Sequence, residues 1–169
     1  MLQKGSKPNA ETSFNEVGRD SWNQIMENLF RTLNNKLSQN ANIESSFSGS
    51  TGLVAYVSNQ FISCGGVGDS SAVIYGWDGK ETLLSKIHTP QDLVEKARIE
   101  SKGGEIRQSQ DAKGELYGPP RVWKPKTKLP GLMMTRSFGD SFGHSIGMNC
   151  IPSNIPLTQS RLHKRKDHR

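Results

Sequence analysis

Asp69 and Arg136 are the two residues of this chain whose surroundings point to chemistry on a charged ligand. Asp69 lies in Gly66-Val67-Gly68-Asp69-Ser70, between two strand-like runs. Gly68 permits a tight, positive-φ turn, which leaves the carboxylate at a strand end. A carboxylate at a sheet rim is a hard oxygen ligand suited to Mg²⁺ or Mn²⁺, and it can equally bond its own turn backbone. Arg136 lies in Pro130-Gly131-Leu132-Met133-Met134-Thr135-Arg136-Ser137-Phe138-Gly139-Asp140. Its guanidinium could grip a phosphate bidentately, or pair with Asp140 or another acid and hold the turn. A third segment, Phe47-Ser48-Gly49-Ser50-Thr51-Gly52, could cradle phosphate with its backbone. The lysine and following helix of a P-loop are absent, so entry into a strand is the better reading.

The other reactive side chains carry less. His88, His144, His163 and His168 show no clear ligand spacing, and Cys64 and Cys150 show none. Cys64 reads as a small buried hydrophobe in a strand, and no basic or histidine-rich setting activates either thiol. The net charge of +6 is concentrated at one end: residues 161–169 hold five basic residues against Asp167, and the remaining 17 basic and 15 acidic residues nearly balance. A short basic end reads as a solvated tail, and nucleic-acid binding would have to come from it alone. Hydrophobic content is 33% and mean hydropathy −0.64, so part of the chain is expected to stay unpacked. No apolar run reaches membrane-spanning length and the start lacks a signal-peptide core, so a soluble intracellular protein, cytoplasmic or nuclear, is expected.

The elements that must position these residues read as follows. Ser21 is a candidate N-cap for a helix in which Trp22, Ile25, Met26, Leu29, Phe30, Leu33 and Leu37 form one apolar stripe facing a core. Leu53–Val57, Phe61–Cys64, Ala72–Tyr75 and Thr82–Leu84 read as strands of an antiparallel meander. Thr89-Pro90 opens a second helix with Thr89 as cap, Leu93, Val94, Ala97 and Ile99 inward, and Gly103-Gly104 as its stop. Residues 105–130 read as a long loop with a short hairpin. Order returns at Pro130–Phe138, and periodicity fades beyond Ile151.

In this order the motifs resemble the central part of the metal-dependent protein phosphatase 2C family. The resemblance runs from Ser48 to Gly147 and includes Glu95-Lys96-Ala97-Arg98-Ile99 and Gly118-Pro119-Pro120-Arg121-Val122-Trp123. It implies an α+β fold, an α-β-β-α sandwich of two antiparallel sheets flanked by helices. It also implies a pair of Mg²⁺ or Mn²⁺ ions whose activated water hydrolyses phosphoserine and phosphothreonine in protein substrates, with residues 105–130 as the flap beside the site. Three segments follow: a disordered lead-in over 1–20, a partial domain over 21–150, and a basic disordered tail over 151–169.

The chain departs from the family pattern where the chemistry resides. The early aspartate-glycine-histidine-glycine motif and the N-terminal phosphate-binding arginine have no counterpart. Ser71 stands where the family has arginine, Ile87-His88-Thr89-Pro90 replaces aspartate-histidine-lysine-proline, and the later aspartates do not appear after Gly147. Of the metal-linked carboxylates only Asp69 carries over, at the position of an additional, weaker metal. Weak or absent metal binding and no meaningful activity of this chain alone are the expectations, with uncovered sheet edges at both ends. The alternative is a catalytically dead module that binds phosphoprotein partners.

Overall fold

The computed structural model describes residues 10–57, 61–76 and 79–158; residues 1–9 of the expected lead-in over 1–20 and residues 159–169 of the expected tail, with His163 and His168, lie outside them, whereas residues 10–20 of that lead-in are helical rather than disordered. The fold is α+β. Helix α1 (Ala10–Gln39) leads into β1 (Gly49–Ser50), β2 (Gly52–Val57), β3 (Phe61–Val67), β4 (Val73–Tyr75) and β5 (Glu81–Leu83). Helix α2 (Leu93–Ser101) precedes β6 (Glu105–Gln110), β7 (Leu116–Trp123), β8 (Pro130–Leu132) and β9 (Phe138–Gly139); α3 (Ser141–His144) and β10 (Ser153–Thr158) follow. The strands form four antiparallel sheets, ordered β1-β9, β10-β3-β2, β4-β5 and β6-β7-β8.

Several expectations are corrected. α1 runs back through Ser21 to Ala10, so Ser21 caps nothing. Its apolar stripe splits: Met26 and Phe30 are buried against Val67 and Phe138, whereas Ile25, Leu29 and Leu33 face solvent. The meander is two hairpins. Gly68, with φ +90, turns the chain away after β3, whose second neighbour is β10 rather than β4. β10 itself lies where periodicity fades, at the start of the expected tail.

The cap of α2 is Asp92, whose carboxylate accepts from the backbone N–H groups of Val94 and Glu95; Thr89 serves only the preceding turn. The face that packs inward is Glu95 and Ile99, while Leu93 and Val94 are exposed. The helix does stop at Gly103-Gly104, where the Gly104 N–H donates to the Ile99 carbonyl and Gly103 has φ +86. Residues 105–130 hold more than the expected loop with a short hairpin: the hairpin is β6–β7, and β8 joins it to make a three-stranded sheet. Pro119 and Pro120 are tolerated in β7 because the β6 register shifts between Arg107 and Ser109 and β8 reaches only Val122 and Trp123.

Three apolar clusters organise these layers. Ile62, Cys64 and Leu84 fill one side of β3, with Cys64 acting as a small core group. Met26, Phe30 and Val67 fill the α1 side. Ile99, Val122, Ile146 and Met148 join α2 to the β6–β8 sheet.

Candidate functional site

The three glycine-anchored motifs converge. β1 from the first pairs with β9 from the third, with Gly49 opposite Gly139 and Ser50 opposite Phe138. A Cβ on Gly49 would fall 2.0 Å from the Asp140 carboxylate, so only glycine allows this approach. The first motif also meets the second: the Thr51 and Ser70 hydroxyls are hydrogen-bonded at 2.7 Å across the turn that presents Asp69. That turn is fixed from below, where the His88 N–H donates to the Gly68 carbonyl and the Thr135 N–H donates to the His88 carbonyl.

Asp69 sits exposed at the crest of this turn. A metal centre needs company for it, and among the described residues no three His, Cys, Asp or Glu side chains gather closely enough to hold an ion. Among the described residues the donor set therefore does not fit a dinuclear Mg²⁺ or Mn²⁺ site, which demands several oxygen ligands per ion.

Arg136 is engaged within the protein. Its Nε and Nη2 donate to the Glu95 carboxylate and its Nη1 donates to the Ile151 carbonyl at 2.6 Å. Of the two roles the sequence leaves open, the structure shows the ion pair, with Glu95 rather than Asp140 as the acid. Glu95 is fully buried and also accepts from Thr135 Oγ1 at 2.7 Å and pairs with Arg98 at 2.8 Å. Burial works against its charge, yet the hydrogen bonds from Arg136 and Thr135 and the fields of both arginines outweigh it and hold the carboxyl down at about 2. Arg98 in turn donates to the carbonyls of Gly147 and Thr135. One carboxylate thus ties α2 to the segments carrying Thr135, Gly147 and Ile151.

His88 is buried beside this network, with Nε2 2.8 Å from Ser153 Oγ. Burial, reinforced by Arg136 and Lys86 against Glu95, lowers its pKa to about 4 and keeps the ring neutral. Asp140 is buried in a left-handed conformation, φ +48, and burial pushes its carboxyl up while Ser137 and His144 pull the other way. Burial also lowers the His144 pKa and raises those of the Cys64 and Cys150 thiols, so no activated thiolate is present.

Sequence reasoning passed over Glu95 and His88 as chemistry. The i, i+3 pair Glu95–Arg98 and the i, i+4 step to buried Ile99 were the signals for a charged inward face. Among the described residues no helix is long and apolar enough to cross a membrane.

Comparison with known proteins places this geometry. A family model described as Protein phosphatase 2C matches residues 6–162. Probable protein phosphatase 2C 73 of Arabidopsis thaliana is 31% identical over 166 residues, covering 94% of this chain and 42% of that protein. Probable protein phosphatase 2C 72 of the same plant is 29% identical over 168 residues, covering 96% and 48%. The chain thus spans less than half the length of these relatives. A crystal structure of serine-threonine phosphatase 2C from Toxoplasma gondii superposes with a TM-score of 0.68 over 90% of this chain and 51% of that one; at 19% identity the match speaks for the fold alone.

Proposed function

The chain belongs to the protein phosphatase 2C family, and from that premise we propose that it forms the frame of such a phosphatase domain without a working metal centre of its own. The family reaction, as the sequence resemblance implies it, is hydrolysis of phosphoserine and phosphothreonine in proteins by water activated on Mg²⁺ or Mn²⁺. The observation that carries the reading is the donor set: Asp69 stands exposed with no ligand cluster around it among the described residues. Arg136, the one phosphate-gripping candidate, is held by Glu95 and Ile151. No step through a metal is therefore derived for this chain.

The test is phosphate release from a phosphothreonine peptide in millimolar Mn²⁺. The expected result is no release above the protein-free rate. Metal-dependent turnover that Asp69→Asn abolishes would overturn the proposal.

The second reading is a module that holds phosphoprotein partners, for which the cleft of about 530 Å³ between α2 and the β6–β7 hairpin, lined by Lys96 and Arg107 beside Leu93, Ile106, Leu116 and Pro120, is the place to look. Saturable binding of a phosphopeptide in metal-free buffer, weakened by Leu93→Asp, is the outcome that reading requires.

A further inference from the structure

Apart from its basic end the chain is nearly balanced in charge, but the balance is not local. Between Leu116 and Gly139 there is no aspartate or glutamate to set against Arg121, Lys124, Lys126, Lys128 and Arg136. Lys124, Lys126 and Lys128 stand exposed on the turn between β7 and β8. Elsewhere in the fold cations are answered: Lys86 by Asp92, Lys96 by Glu100, Arg98 and Arg136 by Glu95. Among the described residues the three lysines of the turn have no carboxylate within ion-pair distance. Their support is fixed. The Lys124 N–H donates to the Leu129 carbonyl at 2.7 Å, and the N–H and Oγ1 of Thr127 both donate to the Lys124 carbonyl. Arg107 of β6 pins the turn by donating to the Thr127 carbonyl at 2.7 Å. Lys126 takes φ +61, a left-handed conformation in which glycine or asparagine would be the unstrained choice.

We propose that this turn is a docking point for an acidic segment of a partner protein, a run of aspartate and glutamate side chains. The cations left facing solvent choose that chemistry. Arginine forks would favour a phosphate, but Arg107 is spent on Thr127 and Glu105, and Arg121 on the Gly131 carbonyl. What remains is three ammonium groups on flexible stems, point charges that accept carboxylates at varied spacing. Single-stranded nucleic acid would also need open ring faces for its bases. Those rings are taken: Arg107 covers Trp123, and Lys124 and Phe47 flank Phe142. Exposed ion pairs are individually weak and screened by salt. The contact is therefore a transient one that speeds encounter and selects acidic partners over basic ones. The inference does not rest on the phosphatase reading, and the failure of either leaves the other standing.

The test is fluorescence anisotropy of the full chain with a labelled peptide of alternating aspartate and glutamate, at about 50 mM salt. Saturable binding is expected. Lys126→Glu with Lys128→Glu should raise the dissociation constant about tenfold, and so should raising the salt to about 300 mM. Neither side chain is hydrogen-bonded or paired among the described residues, so the circular dichroism melt should hold. Lys80→Glu with Lys113→Glu reverses the same charge on the β4–β5 and β6–β7 turns and should change binding less than about twofold. Residues 161–169 are present in every variant, so the difference between the two pairs reads the turn alone. Absence of saturable binding overturns the proposal, as does an equal loss in both pairs or indifference to both. A phosphoserine peptide or a single-stranded RNA of equal charge bound about tenfold more tightly than the acidic peptide overturns it too, by assigning the turn to that chemistry.

Discussion

Two contacts made by helices in this molecule are built on opposite terms. Where α2 meets the segments around Thr135 and Ile151, every charge has an answer: Glu95 accepts from Thr135, Arg136 and Arg98, and the arginines spend further N–H groups on the carbonyls of Ile151, Gly147 and Thr135. Where α1 meets β3 and β10, the buried side-chain oxygens of Asn23, Ser63 and Asn154 find no hydrogen-bond partner among the described residues, while leucines of the same helix face solvent. The difference sets a buried charge answered by several donors at α2 against buried amide and hydroxyl oxygens left without a partner at α1. An apolar stripe in sequence does not say which of its residues the sheet will take.

The sharpest way to break the comparison is at Glu95. Glu95→Ala leaves two arginines and Thr135 without their acceptor, and should cost about 3–5 kcal/mol in urea unfolding. A cost under about 1 kcal/mol would show the network to be dispensable. Next come the adjacent residues Phe30 and Leu29. Phe30→Ala should lose about 3–4 kcal/mol because the ring is wholly buried against Phe138. Leu29→Ala should lose far less, and equal losses would mean that the two faces are not distinct.

A smaller effect follows from pH. His88 has a folded pKa of about 4 against an ordinary 6.5, so the unfolded chain binds the extra proton. Its contribution is full above pH 6.5 and is lost as pH falls towards 4, an effect of about 2–3 kcal/mol at most. Glu95, at about 2 against 4.5, has the same sign in a lower window, full above 4.5 and lost towards 2. Melts recorded from pH 7 to 4 should decline for the native chain and flatten for His88→Asn. An unchanged slope in that variant would assign the decline elsewhere. The smallest effect is expected at the other contact: Ser63→Ala removes a buried hydroxyl without a partner and should be neutral or stabilising by about 0.5 kcal/mol. A loss above about 1 kcal/mol in the same unfolding assay would show that the hydroxyl is satisfied after all.

Much of the frame was legible because it is written in local signals. β2 and β3 announce themselves by β-branched and aromatic runs, and the stop of α2 by Gly103-Gly104. Of the β6–β8 sheet only a short hairpin was legible, since Glu105–Gln110 is polar and β7 contains two prolines; its strands are specified by pairing with each other rather than by local preference. The start of α2 was misread because Thr89-Pro90 imitates a cap that Asp92 supplies three residues later. Within the site, Asp69 was locatable from its glycine turn, but the fate of Arg136 was not. The identity of its partner depends on bringing residue 95 beside residue 136, which no local pattern encodes.

The β1–β9 pairing carries a consequence for the order of events in folding. It joins Gly49 to Gly139, about 90 residues apart, and in the same corner the Gly139 N–H donates to Asn34 Oδ1, 105 positions away. Closing so long a loop costs entropy that few contacts repay until the intervening chain is already compact. The hairpins β2–β3, β4–β5 and β6–β7 and helix α2 are short-range and need no such closure. We expect this corner to be among the last regions gained on refolding and the first exposed to amide exchange.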